Sequence, residues 1–278
     1  MILFIFEGAK REREIFRTIE ELFFQKDLDR IICYYCDNIY HLYNQITDKG
    51  NIKDPLYYDD IVTVLQRREQ NKPDSEIIKL NRSDISEVYL FFDYEIQNDE
   101  RNKAVGMEEL NIRLERMLRF FDDETNQGRL YINYPTVESI RYTKKLPDDE
   151  YYKYAVNISS LNEFKKIAGD FSFYGNLDFI TYKLSKKGAI SDKSRKKEND
   201  LRKNWSYSIE QNIQKANYIT KGKNTFPEKK QDVCQIDIFT NHLKKYFPEL
   251  NVPVLNSFPL FLYEYFDDSN MLFMSSKD

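Results

Sequence analysis

Acidic side chains follow three separate hydrophobic segments of the chain. Glu7-Gly8 comes directly after the run MILFIF, Asp93-Tyr94-Glu95 comes directly after EVYLFF, and Glu138 follows RLYIN by a few residues. Carboxylates bind hard divalent cations such as Mg²⁺, and a bound cation can activate water for hydrolysis. A single acid after a strand could instead cap a helix or favour its dipole. Three acidic strand ends in one region favour a metal site.

The composition leaves few other kinds of site. The 278 residues include only two histidines, so a Ser-His-Asp triad or a His-rich zinc site has little to draw on. There are eight glycines, and no Gly-x-Gly-x-x-Gly or Walker-type phosphate loop occurs. Three cysteines are consistent with free thiols in a reducing compartment. With 46 Asp and Glu residues, acidic side chains are expected to carry any chemistry.

Alternating strands and helices are predicted to position these acids. Apolar runs predict strands at 1–6, 30–35, 87–92 and 129–133, and helical periodicity predicts helices at 9–25, 39–46, 59–69 and 107–123, with an extended piece at 76–80. This order predicts an α/β fold with a mainly parallel sheet flanked by helices. From residue 147 onward we predict no strand, but helices at 162–168, 198–216 and 231–246. We therefore divide the chain into an α/β domain, 1–146, and a mostly α-helical C-terminal domain, 147–278.

The acids are expected to meet at one edge of the sheet, because ligands bind beyond the carboxyl ends of parallel strands. Extended backbone places Asp93 and Glu95 on the same side, and Glu12 lies one helical turn after Gly8. Five carboxylates this close together would repel one another unless a cation such as Mg²⁺ or Mn²⁺ neutralised them. The predicted ligands are Glu7, Glu12, Asp93, Glu95 and Glu138.

The segments FIFEGAKREREIF, YLFFDYEIQND and YINYPTVES together resemble the Toprim domain. They resemble in particular the small Toprim nucleases of the OLD and RloB-like kind, which occur in bacterial anti-phage systems. The likeness covers about half of the chain and includes the Glu-Gly-x-x-x-Glu pattern of Glu7, Gly8 and Glu12. It implies a Toprim-like fold and a nuclease with one or two Mg²⁺ or Mn²⁺ ions. Since no Walker motif is present, the resemblance implies that any ATPase is a separate partner.

By this resemblance, Glu7, Asp93 and Glu95 would hold one ion, and Glu12 and Glu138 would help to bind a second. Lys10 or Arg11 would neutralise charge at the phosphate, with a solvated helix face as the alternative for both. The chain departs from the family pattern at Glu95, where the family usually has Asp. This departure leaves open a shifted site, an altered metal preference, or the recruitment of Asp99.

A basic segment follows the predicted α/β domain. From residue 183 to residue 230 there are 14 lysines and arginines against five acidic residues, although the whole chain has a net charge of −4. Such a run can hold a nucleic-acid backbone, and it contains the only tryptophan, Trp205, directly after Arg202-Lys203-Asn204. The alternative is a solvated helix with internal ion pairs; we expect Trp205 to belong to the core. The candidate nucleic-acid-binding residues are Lys186, Lys187, Lys193, Arg195, Lys196, Lys197, Arg202 and Lys203.

We therefore expect a cytoplasmic, metal-dependent nuclease that cleaves DNA or tRNA, with a toxic role in phage defence implied by the resemblance alone. A different Toprim reaction, primer synthesis or strand passage, is disfavoured because no zinc module or tyrosine-bearing cleavage domain is evident. The other alternative is a non-catalytic regulatory or nucleic-acid-binding subunit of a partner ATPase. The apolar run 258–266 predicts a buried helix, with a homodimer surface as the alternative. No apolar run is long enough to span a membrane.

Overall fold

A five-stranded sheet forms the centre of the structure. The computed structural model describes residues 1–24, 30–47, 59–72, 74–94, 96, 106–185 and 188–266. The strands of the sheet are β1 (Ile2–Phe6), β2 (Ile31–Tyr35), β3 (Glu87–Asp93), β4 (Asp122–Asp123) and β5 (Gly128–Asn133). Their order is β2-β1-β3-β5-β4, and β4 runs antiparallel to β5 while the other pairs are parallel. The predicted α/β architecture with a mainly parallel sheet is confirmed.

Helices flank this sheet. They are α1 (Arg11–Phe23), α2 (Ile39–Ile46), α3 (Ile61–Glu69), α4 (Met107–Phe120), α5 (Phe164–Phe171), α6 (Asp192–Arg195), α7 (Glu198–Lys221), α8 (Gln235–Lys245) and α9 (Ser257–Tyr265). Helix α1 is amphipathic, and its apolar stripe is buried at Ile15, Phe16, Ile19 and Leu22. None of the helices in the described ranges is both long and apolar enough to cross a membrane.

The two faces of the sheet differ in chemistry. Because side chains alternate along a strand, the register of the parallel strands separates a face rich in aromatic side chains, the aromatic face, from a mainly aliphatic one. The aromatic face carries Phe4, Phe6, Tyr89, Phe91 and Tyr131, and the aliphatic face carries Leu3, Ile5, Val88, Leu90, Leu130 and Ile132. The Phe16 ring of α1 lies 4.3 Å from that of Phe4. The Phe258 ring of α9 stacks on that of Phe91 at 4.7 Å. Helices from both ends of the chain therefore cover the aromatic face.

The second half of the chain is mostly helical but contains two strands that the sequence did not predict. Strand β6 (Ala155–Asn157) pairs antiparallel with β7 (Asn251–Pro253). Helix α9 is buried from Ser257 to Tyr263, which confirms the predicted buried helix at the end of the described chain. Its packing on the sheet joins residues from both sides of position 146 in one apolar core. The division at residue 146 stays a prediction.

Two local predictions were wrong. The extended piece expected at 76–80 is a 3-10 helix, Glu76–Lys79, and Gln66 donates hydrogen bonds to the carbonyl oxygens of Ile77 (3.3 Å) and Leu80 (2.8 Å). The helix expected to reach residue 123 ends at Phe120, because Asp122 and Asp123 turn back to pair with β5.

Candidate active site

Glu7 and Asp93 lie side by side at the carboxyl ends of the neighbouring strands β1 and β3. The Glu7 backbone N–H donates to the Phe91 carbonyl oxygen at 3.1 Å, which continues the strand pairing by one residue. The Asp93 backbone N–H donates to Glu7 Oε2 at 2.8 Å. The Glu7 carboxylate is thus fixed against the end of β3. The sequence predicts these two acids at one edge of the sheet, and the structure brings them together.

Glu12 lies close to this edge because its carboxylate contacts Gly8, the residue after Glu7. The Glu12 side chain is buried in the first turn of α1, and its carboxylate folds back over the Gly8 backbone. A Cβ atom added to Gly8 would lie 2.7 Å from Glu12 Oε2 and 3.0 Å from Oε1. Such distances are shorter than real contacts, so the absence of a side chain at Gly8 is what allows the Glu12 carboxylate its position.

Asp93 is buried and accepts hydrogen bonds from β5 and from the 3-10 helix that follows β5. Its Oδ1 atom accepts hydrogen bonds from Asn133 Nδ2 at 3.0 Å and from the Val137 backbone N–H at 2.8 Å. Asn133 in turn accepts hydrogen bonds at Oδ1 from the backbone N–H (3.0 Å) and hydroxyl (2.7 Å) of Ser257. Asn133 and Ser257 are positioning residues that the sequence reasoning missed. The available signal was the polar residue ending the fourth predicted strand, which pairs directly with Asp93.

Glu138 lies in a cluster of cations. It is buried on a 3-10 helix, Val137–Arg141, that begins at the Thr136 cap. Its Oε1 atom is 3.1 Å from Arg11 Nε and 3.9 Å from Lys165 Nζ, and its Oε2 atom is 2.8 Å from Arg141 Nε. A buried carboxylate is stable only when it is paired. These three cations neutralise Glu138 without a metal ion, and its role as a ligand of a second ion stays a prediction.

Lys10 and Arg11 have different surroundings at the start of α1. Lys10 is exposed at the cap position of the helix and makes no ion pair within the described residues. Arg11 also pairs with Glu14 at 3.0 Å. Partial burial lowers the pKa of the Arg11 guanidinium, but Glu138 and Glu14 outweigh burial, so its pKa lies above the ordinary value. Of the two candidates for contacting a phosphate, Lys10 has its charge exposed, while Arg11 is engaged by acids.

The remaining predicted ligand, Glu95, lies outside the described residues, as does Asp99. Among the residues that the structure does describe, no group of three or more His, Cys, Asp or Glu side chains is arranged to hold a metal ion. The carboxylates of Glu7, Glu12 and Asp93 gather at one edge but do not form a closed ligand set there.

The basic segment packs along α1, the helix that follows the Glu7-Gly8 turn. The Tyr182 backbone N–H donates to Thr18 Oγ1 at 2.9 Å, and the guanidinium of Arg195 pairs with Glu21. Arg202 pairs with Glu198 one turn back at 2.9 Å. The side chains of Lys193, Lys196, Lys197 and Lys203 are exposed, while Lys186 and Lys187 lie outside the described residues. Four of the eight candidate nucleic-acid-binding residues are therefore lysines whose side chains a ligand could reach.

Trp205 is fully buried, and its indole N–H donates to the Ile180 carbonyl oxygen at 2.9 Å. This confirms the expectation that Trp205 belongs to the core. It cannot serve as a surface on which a base stacks in this arrangement.

Comparison of the chain with protein-family models, with curated proteins and with solved structures found no match. The Toprim resemblance therefore rests on the sequence segments that carry it.

Proposed function

We propose that the protein is a divalent-cation-dependent hydrolase of nucleic-acid phosphodiester bonds, with its active site at the carboxyl edge of β1 and β3. One observation carries this proposal: Glu7 and Asp93, which are 86 residues apart, are hydrogen-bonded at that edge, and the Glu12 carboxylate lies against the neighbouring Gly8. Carboxylates held close together repel one another. A divalent cation bound among them would reduce that repulsion.

The donor atoms suit the proposed cation. Mg²⁺ takes oxygen ligands and usually keeps several waters, so one or two carboxylates from the protein suffice. Glu7, Glu12 and Asp93 would hold the ion, with Glu95 as the further ligand from the segment after β3. When bound, the cation would lower the pKa of water and stabilise charge on the phosphate. Exchange of Mg²⁺ for Mn²⁺ is compatible with the same ligands.

The residues around the proposed cation ligands would orient those ligands and supply positive charge for the substrate. Asn133 and the Val137 N–H orient Asp93 through hydrogen bonds to its Oδ1 atom. Glu138 holds Arg11 and Arg141 beside the site. Lys10 supplies an exposed positive charge next to Gly8, where the phosphate of a substrate would arrive. The exposed lysines of the basic segment offset the repulsion between an acidic edge and a polyanion.

The wider role follows from the resemblance. It supports a toxic effector of anti-phage defence, held inactive by a partner ATPase until infection. DNA and tRNA are both retained as substrates.

A substrate panel tests the proposed function. Purified protein is incubated with plasmid, linear DNA and total tRNA, each with Mg²⁺, Mn²⁺ or EDTA. We expect cleavage of at least one substrate with either cation and none with EDTA. Cleavage that persists in EDTA would contradict the proposal. If no substrate is cleaved, the same panel is repeated with the ATPase encoded next to this protein's gene. Absence of cleavage with that ATPase as well would also contradict the proposal.

A non-catalytic regulatory or nucleic-acid-binding subunit is the second candidate. The observation that favours it is the engagement of Asp93 Oδ1 and Glu7 Oε2 in hydrogen bonds within the fold, which is also what a purely structural network requires. In that case the substrate would bind but would not be cleaved, and neutralising Glu7 would leave function unchanged.

A further inference from the structure

A groove of about 610 Å³ lies beside the proposed active site, between the 3-10 helix Val137–Arg141 and α5. Its walls include the cations Arg141, Lys165 and Lys166 and the acids Glu163 and Asp170. Arg141 is buried and donates from Nη2 to the Lys165 carbonyl oxygen at 2.6 Å, so it ties the groove to α5. The Lys165 side chain is 66% exposed, and Lys166 is exposed as well.

Phe173, in the segment that follows α5, is 78% exposed. It belongs to the short segment between Asp170 and Gly175, both of which line the groove. The Phe173 backbone N–H donates to the Lys144 carbonyl oxygen at 3.1 Å. On either side of it, the rings of Phe171 and Tyr174 are packed, 4.2 Å from Tyr142 and 4.1 Å from Phe179. A fixed backbone therefore presents Phe173 to solvent while its aromatic neighbours point into the fold.

Four exposed lysines lie in the two segments next to Phe173, residues 144–145 and the helix α5. Lys144 and Lys145 are exposed and adjoin the Phe173 segment, where the Leu146 backbone N–H donates to the Tyr174 hydroxyl at 3.0 Å. Lys165 and Lys166 lie across the groove. We name these residues, Lys144, Lys145, Lys165, Lys166 and Phe173, the Phe173 patch. A flat aromatic ring among cations is the combination that binds single strands, since bases stack on the ring while lysines contact phosphates.

The groove, two of whose lining residues belong to the patch, is connected to the carboxylate edge by one short helix. Val137 donates to Asp93, and Arg141, at the other end of the same helix, lines the groove. At a rise of about 2.0 Å per residue in a 3-10 helix, these two contacts lie roughly 8 Å apart along the axis. The groove therefore begins close to the carboxylate edge.

We propose that the Phe173 patch binds unpaired nucleotides of the nucleic-acid substrate, with Phe173 stacked on a base and the lysines on the backbone. This inference rests on the proposed function and names its substrate class: a single strand, or a structured nucleic acid with an unpaired segment. In a duplex the base faces are already stacked, so Phe173 has no partner. Glu163 and Asp170 repel a phosphate inside the groove. The phosphates of the bound strand therefore contact the lysines of the Phe173 patch.

Fluorescence anisotropy in EDTA tests the inference without any cleavage. The probes are labelled 12-nucleotide RNA and DNA single strands, an abasic strand of the same length, and a blunt duplex. The variants are Phe173→Ala and the double variant Lys165→Glu/Lys166→Glu. The matched controls are Phe226→Ala, which removes another exposed phenylalanine, and Lys244→Glu, which reverses an exposed lysine on α8.

We expect the single strands to bind more tightly than the duplex. Phe173→Ala should weaken binding of the normal strands about fivefold or more, and should leave binding of the abasic strand unchanged, since a base is needed for stacking. The double variant should weaken binding about tenfold or more. Its slope of log affinity against log salt should be shallower by about 0.7 for each phosphate that the two lysines neutralise in the unaltered protein. Both controls should bind as the unaltered protein does.

Three results would overturn the inference: no binding of single strands, equal binding of the duplex, or wild-type affinity in both patch variants. Because binding is measured in EDTA, the two proposals fail separately. Wild-type binding by the patch variants, with cleavage retained, would reject this inference alone. Intact patch-dependent binding with no cleavage under any condition would reject only the hydrolase.

Discussion

Single residues set the geometry of the carboxylate edge, and Gly8 is the clearest case. The chemistry of the acids could be predicted from the sequence because each follows an apolar run. The pairing of Glu138 with Arg11 could not be predicted, since Arg11 lies 127 residues away in the chain and meets Glu138 only in the folded protein. Asn133 was missed for the same reason: its importance comes from its cross-strand position opposite Asp93.

Replacing Gly8 by Ala should displace the Glu12 carboxylate with little effect on folding. The added Cβ would lie 2.7 Å from the end of a flexible side chain, which can move at small cost. We expect the cleavage rate to fall by up to about 100-fold, as a misplacement of about 1 Å can cause, while the free energy of unfolding changes by less than about 1 kcal/mol. Cleavage assays and urea denaturation measure the two effects. Gly106→Ala is the control, because none of the described residues lies within 4 Å of its added Cβ. An unchanged rate in Gly8→Ala would remove Glu12 from the site.

Replacing Asn133 by Ala should destabilise the protein as well as the site. Asp93 would lose one donor, and the buried Ser257 N–H and hydroxyl would lose their acceptor. Leaving such groups unsatisfied costs about 1–3 kcal/mol, which urea denaturation would measure. Asn241→Ala is the control, since its side chain donates only to the Asp237 carbonyl one turn back in α8, and a change within about 0.5 kcal/mol is expected there. Equal effects of the two substitutions would show that the Asn133 network contributes nothing.

Secondary-structure elements with strong local signals were predictable, and those that depend on distant partners were not. Strands β1, β2, β3 and β5 are short apolar runs, and α1 has a buried stripe at helical spacing, so each shows its pattern in its own residues. Strand β4 consists of two aspartates and forms by pairing with β5. The three-residue strands β6 and β7 lie almost 100 residues apart and are extended because they pair with each other.

Helix α9 is the element whose packing most directly joins the two halves of the chain. The ring of Phe261 lies 4.9 Å from that of Tyr89 and 5.5 Å from those of Phe4 and Phe91. Phe261→Ala should lower the free energy of unfolding by about 3–5 kcal/mol, as expected for a large buried side chain. Phe226→Ala, at a ring that is 45% exposed, should cost less than about 1 kcal/mol. If Phe261→Ala cost no more than this control in chemical denaturation, α9 would not belong to the sheet's core.

At the scale of the whole molecule, stability should depend on pH through a buried histidine. His242 is fully buried among Tyr94, Tyr134 and Phe239, and neither ring nitrogen has a hydrogen-bond partner within the described residues. Burial lowers the pKa of His242 to about 3. Between that value and about 6.5, the pKa of an unfolded histidine, the unfolded chain binds a proton that the folded chain does not. The free energy of unfolding therefore falls as pH falls through this range.

The contribution of His242 is measured by comparison with His242→Phe. Below pH 6.5, His242 should add about 1.4 kcal/mol per pH unit to the slope of the free energy of unfolding against pH. This addition should be missing from the variant, which keeps an aromatic ring in the same apolar site. Urea denaturation at several pH values between about 4.5 and 7.5 gives the difference in slope. Parallel curves for the two proteins would mean that His242 takes up its proton in the folded state.

The central claim is that the carboxylates at the ends of β1 and β3 carry out cation-dependent hydrolysis, and Glu7→Gln tests it most directly. Glutamine keeps an oxygen that can accept the Asp93 N–H but removes the negative charge. We compare the rate of Mg²⁺-dependent cleavage in the wild type, in Glu7→Gln and in Glu115→Gln, which neutralises a partly exposed acid on α4 that pairs with Arg119. Circular dichroism verifies folding. We predict a loss of at least about 100-fold for Glu7→Gln alone, in keeping with the several kcal/mol that a catalytic cation supplies. A folded Glu7→Gln protein that cleaves at the wild-type rate would contradict the claim.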